Sequence, residues 1–323
     1  MPARRTIGVD IGATRLLAGA IDGRLGVHHR VQRSVAGLDQ SALIEVAVDA
    51  VLEARQSAGA EVAAVGFGVP CLMDQRSGRA VIAVNLPLFE IPLAALMTER
   101  LGLPVFVDNG ANTAALAEHR AGAARGFSEA VVLTIGTGIG SGLIIRDDVY
   151  RGAVGAGAEI GHMVIDLDGP RCQGNCPNQG CFEAVASGIA LTREATRVAR
   201  ERPGSGLGKA LARGVEISGP LVTELAHDGD EAALAVMALI GERLGVAIAN
   251  CVNIFNPQVV IVGGGVIGAG ELLLAPARAV VAARALPPSR DEVRIVAARF
   301  GVEAGMIGAA ALAFDGLAGA PVG

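Results

Sequence analysis

One imidazole and three thiols lie close together near the middle of the chain. His162 is followed by Cys172, Cys176 and Cys181, so three of the five cysteines fall within ten residues. Thiolate and imidazole groups are the ligands that Zn²⁺ takes in closed tetrahedral sites, and in a reducing compartment such a cluster indicates a metal before disulfides. The sequence therefore predicts a structural zinc site. The alternative is a set of incidental small residues beside a histidine of the core.

Three glycine-rich turns each follow a buried apolar segment. Their residues of interest, in chain order, are Asp10, Gly12, Thr14, Thr137, Gly138, Gly263 and Gly264. Glycine lets backbone N–H groups approach phosphate oxygens, and threonine hydroxyls add donors. The carboxylate of Asp10 is suited to hold Mg²⁺ beside the phosphates, directly or through water. Each turn alone is equally well explained as a tight turn, but the three in this order indicate a nucleotide site.

Strands and helices have to position these turns. Apolar patterns predict two β-hairpins, one over 6–21 around the first turn and one over 130–145 around the second. The two hairpins are alike, which indicates a weak internal repeat of two α/β halves. Helical periodicity predicts helices over 41–55, 112–124, 184–202, 230–253 and 305–314. We expect a smaller domain over 1–118 together with the C-terminal helix, about 303–323, and a larger one over 119–302.

Composition argues against several classes of protein. The net charge of −5 gives no basic surface for nucleic acid, and eight Phe, one Tyr and no Trp leave little for base stacking. The sequence shows no signal peptide and no long uninterrupted apolar run. We therefore expect a cytoplasmic protein with neither nucleic-acid nor membrane partners.

The glycine-rich turns together resemble a known superfamily. The turn at Asp10, the run from Thr134 and the three glycines from Gly263 look like the ATPase elements of the actin and hexokinase superfamily, and they fit its ROK branch (repressors, open reading frames, kinases) over nearly the whole chain. The resemblance implies two ribonuclease-H-like α/β domains around a central ATP and sugar cleft, with ATP and Mg²⁺ as cofactors. It also implies a homo-oligomer, a dimer or a tetramer.

The resemblance further implies which reaction to expect. ROK kinases phosphorylate hexoses, and glucose is the substrate expected first, with N-acetylmannosamine or fructose as alternatives. Polyphosphate in place of ATP stays open as the phosphate donor. A sugar-responsive repressor of the same family would need a helix-turn-helix domain before the strand at Thr6, so we expect a kinase in preference to a repressor.

The sugar-binding residues are implied by the same resemblance. The Gly-His pair at 161–162 and the stretch from Cys176 to Glu183 match the ROK signature. ROK members space their first two cysteines as Cys-x-Cys, whereas here Cys172 must reach the metal through a longer loop. The family's sugar contacts correspond here to Asn85, Asn109, Glu159, His162 and Glu183. Glu183 is also explained as a residue that starts a helix, and Asn85 as a turn residue before proline.

Glycine occupies the position where the family keeps its catalytic aspartate. That aspartate accepts the proton of the sugar hydroxyl, but this chain has Gly110 between Asn109 and Ala111. Three explanations are open: a variant made inactive, a natural sugar-binding relative without catalysis, or substitution by Asp108. Asp108 stands two residues earlier on a predicted strand, which moves its carboxylate back by roughly 6–7 Å. Proton transfer needs hydrogen-bond reach or one bridging water.

The missing carboxylate sets the rate that we expect. Loss of a positioned base slows a reaction by roughly 10²–10⁴-fold, and phosphoryl transfer depends mainly on positioning and charge neutralisation. The first hypothesis is therefore a slow hexose kinase with near-normal sugar binding. The second is a non-catalytic sugar-binding protein of the same family.

Overall fold

The computed structural model describes residues 4–74, 77–83 and 86–319. The chain groups into two compact units. The first unit consists of Met1–Ser128, Ser141–Ala158 and Arg299–Gly323, and the second of Glu129–Gly140 and Glu159–Ala298.

The described residues form both strands and helices, and five α-helices follow one another in the second half of the chain. The strands are β1 (Arg5–Ile11), β2 (Arg15–Asp22), β3 (Val27–Ser34), β4 (Val62–Val69), β5 (Cys71–Asp74), β6 (Arg79–Ala83), β7 (Phe89–Ile91), β8 (Val105–Asn109), β9 (Glu129–Ile135), β10 (Ile139–Ile145), β11 (Asp148–Tyr150), β12 (Val259–Gly263) and β13 (Arg294–Ala297). The helices are α1 (Gln40–Gln56), α2 (Leu93–Leu101), α3 (Gly110–Ala121), α4 (Phe182–Ala186), α5 (Gly188–Glu201), α6 (Gly206–Ala212), α7 (Gly219–His227), α8 (Glu231–Phe255), α9 (Glu271–Arg284), α10 (Ser289–Glu292) and α11 (Ala304–Leu317). Short 3₁₀ helices span Ile160–His162, Gly265–Ala269 and Gly301–Glu303.

The first unit is built on a five-stranded sheet of order β3-β2-β1-β4-β8. β1 pairs antiparallel with β2 and parallel with β4, and β8 runs parallel to β4. Asp10 of β1 lies opposite Gly68 of β4, which lies opposite Asp108 of β8. Because parallel strands end at the same edge of a sheet, the residues that follow β1, β4 and β8 are brought together there.

The C-terminal helix α11 lies directly on the backbone of this sheet. A Cβ atom on Gly8 of β1 would stand 1.9 Å from the carbonyl oxygen of Met306. One on Gly66 of β4 would stand 1.7 Å from that of Ala309. The neighbours of these glycines along each strand point to the opposite face, where they join the apolar core beneath α1. Any side chain in place of either glycine would force the helix away from the sheet.

The second sheet repeats the arrangement of the first. Its strand order is β11-β10-β9-β12-β13. β12 runs parallel to β9 and to β13, and β11 is antiparallel to β10. In both sheets an antiparallel ribbon is thus followed by parallel strands in the same order. The internal repeat indicated by the two similar hairpins is confirmed at the level of sheet topology.

The unit boundaries differ from those expected at residues 118 and 303. α3 continues to Ala121, and the segment after it stays with the first unit as far as Ser128. The segment Ser141–Ala158, which carries most of β10 and all of β11, also groups with the first unit, and its Arg151 forms a buried ion pair with Asp108 there. Sequence pattern alone gives no sign of this long-range pair.

Several elements differ from the predicted ones. The single helix predicted over 184–202 is two helices, α4 and α5, separated by Ser187, whose hydroxyl accepts from the N–H of Ala190 at 3.3 Å and so caps α5. The sequence also gave no prediction for β3, for α2 or for the small antiparallel sheet β5-β6-β7. β3 is an edge strand in which charged and polar residues alternate with half-buried ones, so its apolar signal is weak.

Among the described helices, α8 is the one whose length and composition would suffice to cross a membrane. Its apolar window is 61% buried inside the protein, where α8 packs against α5, α7 and α9. The apolar composition of α8 is therefore accounted for by its place in the core of the second unit.

The contact between α3 and α11 provides a test of this packing. A Cβ atom on Gly308 would stand 1.6 Å from the carbonyl oxygen of Thr113. We expect Gly308→Ala to lower the free energy of unfolding by about 2 kcal/mol or more, because the two helix backbones must separate. Urea titration measures the change. Gly204→Ala, whose added methyl group meets open space, is the control, and an equal effect of both substitutions would contradict the close packing.

Candidate functional site

The predicted metal ligands meet in the second unit. One ligand atom from each of His162, Cys172, Cys176 and Cys181 lies within 4.8 Å of the others. The Sγ atom of Cys172 is 3.6 Å from Nδ1 of His162, and the Sγ atoms of Cys176 and Cys181 are 3.9 Å apart. We call these four residues the Cys3His cluster.

The loop that carries the cysteines folds back on itself. Arg171 and Gln179 form an antiparallel bridge, and Cys181 directly precedes α4. Between them Gly180 adopts a left-handed φ of 65°, and a Cβ atom there would stand 1.5 Å from the carbonyl oxygen of Asp166. Only glycine allows this turn, which returns the chain to the histidine.

The donor set and its spacing fit a zinc ion. Zn²⁺ at its usual distances of about 2.3 Å from sulfur and 2.0–2.1 Å from nitrogen would separate tetrahedral ligand atoms by about 3.6–3.8 Å. The two measured separations, 3.6 Å and 3.9 Å, lie close to these values. Burial raises the pKa of the Cys172 and Cys181 thiols, and the neighbouring thiols raise that of Cys172 further.

The longer spacing between Cys172 and Cys176 makes room for an additional contact. Gln173, the first residue of the longer loop, lies with its Nε2 3.4 Å from the carbonyl oxygen of Thr137 and 3.3 Å from the hydroxyl of Ser187. The loop is thus attached to the second glycine-rich turn and to the start of α5. Sequence reasoning missed Gln173, because its partners lie far away along the chain.

Glu183 connects the Cys3His cluster to the same turn. Its Oε2 accepts a hydrogen bond from the backbone N–H of Ile139 at 2.7 Å, and Oε1 lies 3.9 Å from the Sγ atom of Cys172. A Cβ atom on Gly138 would stand 2.2 Å from Oε2, so the carboxylate packs directly on that glycine. Glu183 is buried in the first turn of α4, where the helix dipole favours its negative charge.

Glu159 precedes the 3₁₀ helix that carries His162. The carbonyl oxygen of Glu159 accepts from the N–H of His162 at 3.0 Å, and solvent reaches the carboxylate. Partial burial raises the pKa of Glu159 and the charge of Glu183 raises it further, while His162 opposes the shift. The two glutamates and the histidine therefore lie close enough to influence one another. Asn85, which was also predicted to contact the sugar, lies outside the described residues.

The second and third glycine-rich turns lie side by side. Gly263, the last residue of β12, pairs with Thr134 of the parallel strand β9. Gly264 adopts a φ of 87°, and a Cβ atom there would stand 2.3 Å from the carbonyl oxygen of Ile135. Thr137 is exposed at the tip of the neighbouring turn. Both turns follow the carboxyl ends of parallel strands, where α/β proteins bind ligands.

The first glycine-rich turn closes the hairpin of β1 and β2 in the first unit. The N–H of Gly12 donates to the carbonyl oxygen of Arg15 at 2.7 Å, and the side chain of Thr14 is exposed. Thr14 and the backbone of this turn are therefore open to solvent at the edge of the sheet where β1 ends.

The carboxylate of Asp10 lies between the starts of two helices. Its Oδ1 would be 3.5 Å from a Cβ atom on Gly110, the first residue of α3, and 2.6 Å from one on Gly305 near the start of α11. Burial raises the pKa of Asp10 to about 6, against the opposing charge of Arg15. The upward shift comes from loss of hydration.

Asp108 is held in a buried ion pair. Its Oδ2 accepts from Nε of Arg151 at 2.8 Å, and its Oδ1 accepts from the N–H of Asn109 at 2.7 Å and from Nδ2 of Asn112 at 3.0 Å. Both Asp108 and Arg151 are buried. These contacts argue against Asp108 as a substitute base, because Arg151 occupies one carboxylate oxygen and Asn109 and Asn112 occupy the other. Arg151 is a further residue that sequence reasoning missed.

Asn109 serves the start of α3. Its Oδ1 accepts from the N–H of Ala111 at 2.8 Å, which caps the helix, and its Nδ2 donates to the carbonyl oxygen of Cys71 at 3.2 Å. Gly110 follows as the first helical residue, outside the left-handed region, and a Cβ atom there meets no atom closer than 3.5 Å. The structure has room for a side chain at this position.

The predicted site residues thus fall into two groups. The first unit holds Asp10, Gly12, Thr14, Asp108, Asn109 and Gly110, and the second holds Thr137, Gly138, Glu159, His162, Cys172, Cys176, Cys181, Glu183, Gly263 and Gly264. Within each unit the residues collect at the carboxyl ends of the parallel strands or beside the Cys3His cluster.

Comparison with known proteins agrees with this arrangement. Residues 6–315 match the model of the ROK family. The chain is 33% identical to a glucokinase of Thermotoga maritima over 99% of this chain and 100% of that protein. It is also 28% identical to a xylose repressor of Bacillus spizizenii, over 96% of this chain and 77% of that protein.

A solved structure shows the same fold. The crystal structure of a ROK family glucokinase from Streptomyces griseus in complex with glucose and AMPPNP matches with a TM-score of 0.87 and 35% identity, over 96% of this chain and 99% of that one. The fold is therefore the α/β fold of the actin and hexokinase superfamily, and the chain belongs to the ROK family.

Proposed function

We propose that this protein is a sugar kinase that transfers the γ-phosphate of ATP to a hexose, with glucose as the first acceptor to test, and that it does so slowly. The observation that carries the proposal is the similarity to the Streptomyces griseus glucokinase, whose crystal structure holds glucose and AMPPNP, over 96% of this chain. The full-length similarity to the Thermotoga maritima glucokinase supports it.

The nucleotide is proposed to bind at the glycine-rich turns. Thr137 and the backbone around Gly138 offer donors to phosphate oxygens, and Gly263 and Gly264 bring a second turn beside them. In the first unit the carboxylate of Asp10 is suited to the Mg²⁺ that accompanies ATP, because carboxylates are preferred ligands of this ion.

The sugar is proposed to contact the residues beside the Cys3His cluster. Nδ1 of His162 faces Cys172, so Nε2 is left to meet a sugar hydroxyl. Glu183 uses one lone pair of Oε2 on Ile139, and its other lone pairs are available to hydroxyl donors. Glu159, which solvent reaches, is the second acceptor.

The cluster itself is proposed to hold structural zinc. When bound, the ion would neutralise thiolates and fix the loop, and it supplies no reacting group. A fixed loop would also hold the second glycine-rich turn in place, because Gln173 and Glu183 attach the loop and α4 to the turn at Thr137 and Gly138. His162 is held in one ring orientation by the same arrangement.

Phosphoryl transfer forms a bond between the sugar oxygen and the γ-phosphorus and breaks the bond from that phosphorus to the β-bridging oxygen, so that ADP leaves. The proton of the sugar hydroxyl must leave as well. With glycine at position 110 no carboxylate receives it there, and Asp108 is engaged with Arg151. The proton is released to water, which slows the step while positioning and charge neutralisation persist.

A non-catalytic sugar-binding protein is the second candidate. The glycine at position 110 favours this candidate. The 28% identity to a xylose repressor favours it too, because a repressor is named for regulation and not for catalysis. Turnover separates the two candidates. A slow kinase turns over sugar and gains activity from a restored carboxylate, whereas a protein that lacks the rest of the catalytic machinery does neither.

Gly110→Asp tests the missing base. We expect kcat to rise at least about tenfold with little change in the KM for the sugar, since a positioned base contributes roughly 10²–10⁴-fold. A coupled assay of ADP release over glucose, N-acetylmannosamine and fructose measures it, with polyphosphate as an alternative donor. Gly110→Asn, which has the same shape but takes no proton, is the matched control. If neither the chain with Gly110 nor Gly110→Asp turns over any sugar, the non-catalytic sugar-binding protein is favoured.

The pKa of Asp10 predicts how nucleotide binding depends on pH. Because burial raises that pKa to about 6, the carboxylate is ionised above this value and protonated below it. We expect the affinity for Mg²⁺·AMPPNP to fall by up to about tenfold per pH unit as the pH drops below 6, since a proton competes with the cation. Calorimetry at a series of pH values measures this.

Asp10→Asn is the control for the pH series. The nucleotide's own phosphates titrate equally with both proteins, so the difference between them isolates Asp10. Equal pH slopes for the two proteins would show that Asp10 does not meet the cation.

Metal analysis tests the Cys3His cluster. We expect the purified protein to hold about one zinc ion per chain, and Cys172→Ala to abolish stoichiometric zinc and lower the melting temperature. The matched control is Cys251→Ala, which removes a buried thiol of α8 outside the cluster and should keep the zinc. Zinc retained by Cys172→Ala would remove Cys172 from the ligand set.

A further inference from the structure

A cavity of about 550 Å³ opens in the first unit, and none of the site residues described above lines it. Its walls are the turn between β2 and β3, the end of α3 and the last turns of α11. Its charged residues are Arg24, Arg120, Arg125 and Asp315, and the apolar floor includes Leu25 and Phe314. We call these six residues the arginine pocket.

The charges of the arginine pocket are unbalanced. Three guanidinium groups face one carboxylate, which leaves a formal charge of two positive units. The carboxylate of Asp315 accepts a hydrogen bond from Arg120 at 2.8 Å and neutralises the charge of that guanidinium. Within the part of the chain that the structure describes, neither Arg24 nor Arg125 has a side-chain hydrogen bond or ion pair. These two side chains are available to a ligand.

The helix ends at the pocket oppose an anion only weakly. α3 and α11 both end here, and a helix C-terminus carries about half a negative charge. At the end of α3, however, the carbonyl oxygen of Ala121 accepts from the guanidinium of Arg299 at 2.7 Å. That additional cation offsets the end of α3. Two further carboxylates lie nearby: Asp22 is held by the N–H groups of Arg24 and Gly26 and by His28, and the effect of Asp148 on Asp315 is opposed by Arg151.

The turn that forms one wall is held in place. Asp22 Oδ1 accepts from the N–H groups of Arg24 and Gly26, both at 2.9 Å. Leu25 between them adopts a left-handed φ of 63°, which a leucine rarely adopts. Leu25 lines the cavity together with Phe314 and is half-buried against the core beneath the turn. The pocket therefore has a fixed apolar wall as well as a charged rim.

We propose that the arginine pocket binds a phosphate monoester of a small organic molecule and that its occupancy alters turnover. A doubly charged phosphate matches the two unpaired guanidiniums, whose planar forks suit its oxygens. A volume of about 550 Å³ lies within the range of small-molecule sites. The apolar floor selects an ester with an apolar or partly apolar body over the inorganic ion.

Two helices connect the pocket with Asp10. α3 begins at Gly110 and α11 begins next to Gly305, both beside the Asp10 carboxylate, and both helices end at the pocket. The helices pack with backbone contact at Gly308 and Thr113, so neither shifts alone. A ligand that pulls on Arg120 or separates it from Asp315 therefore acts on the elements that position Asp10. Binding does not depend on the proposed function, whereas the effect on turnover does.

Calorimetry on the full chain tests the binding. The probes are phenyl phosphate, glycerol 3-phosphate and inorganic phosphate, added with glucose and AMPPNP already at saturation to occupy the proposed substrate sites. We expect phenyl phosphate to bind most tightly and inorganic phosphate most weakly. The double variant Arg24→Glu/Arg125→Glu should weaken phenyl phosphate binding at least about tenfold, since both cations are replaced by repulsive charges. Arg213→Glu, an exposed arginine of the second unit, is the matched control.

The outcomes separate the parts of the proposal. Equal affinity of the unsubstituted chain and the double variant, or no binding of any probe, overturns the site. The single variants Arg24→Ala and Arg125→Ala give the same decision if the double variant does not fold. With Gly110→Asp as the active background, phenyl phosphate should change kcat or KM by about fivefold or more, and this change should disappear with the double variant. Binding without a change in turnover overturns the coupling alone. An inactive Gly110→Asp protein counts against the kinase and leaves the binding result standing.

Discussion

The first unit depends on direct contact between the backbone of α11 and the backbone of its sheet. Gly8 and Gly66 allow this contact, because a Cβ atom at either would fall within 2 Å of a carbonyl oxygen of the helix. The same helix brings Gly305 under the Asp10 carboxylate, where a side chain would collide with it. One packing constraint therefore holds the layers together and fixes the carboxylate. Substitutions that loosen the layers are expected to disturb Asp10 as well.

In the second unit one buried carboxylate has a comparable role. Glu183 lies between the glycine-rich turn and the Cys3His cluster, and a charged group so deeply buried has to be compensated. The N–H of Ile139 and the start of α4 provide that compensation. The proposed sugar and phosphate contacts of this unit consequently share a support. Any change at the Cys3His cluster that shifts α4 also shifts the turn at Gly138.

The sequence predicted the groups that are local along the chain and missed those that depend on distant partners. The glycine-rich turns and the Cys3His cluster are compact motifs, and the fold was implied by the family that they resemble. Arg151 and Gln173 escaped notice, because Asp108 and Thr137, their partners, lie tens of residues away. The break at Ser187 was missed for a related reason, since the helical periodicity continues across a capping residue. The apolar periodicity of a sequence indicates which face of a helix or strand a residue occupies. Whether a charged side chain is buried depends on an oppositely charged partner that can lie far away along the chain.

Gly110 is the position at which the proposed catalysis and the stability of the fold make opposite demands. A carboxylate there would stand close to Asp10, and two neighbouring carboxylates disfavour joint ionisation until a cation enters between them. Glycine removes this repulsion, and at the first position of a helix its poor propensity costs little. The surroundings do not depend on the missing group, because Asn109 still caps α3 and Asp108 is still paired with Arg151. In the proposed reaction, glycine at position 110 leaves no proton acceptor there, while the helix start and the buried ion pair keep their contacts, so the fold does not depend on the proposed rate.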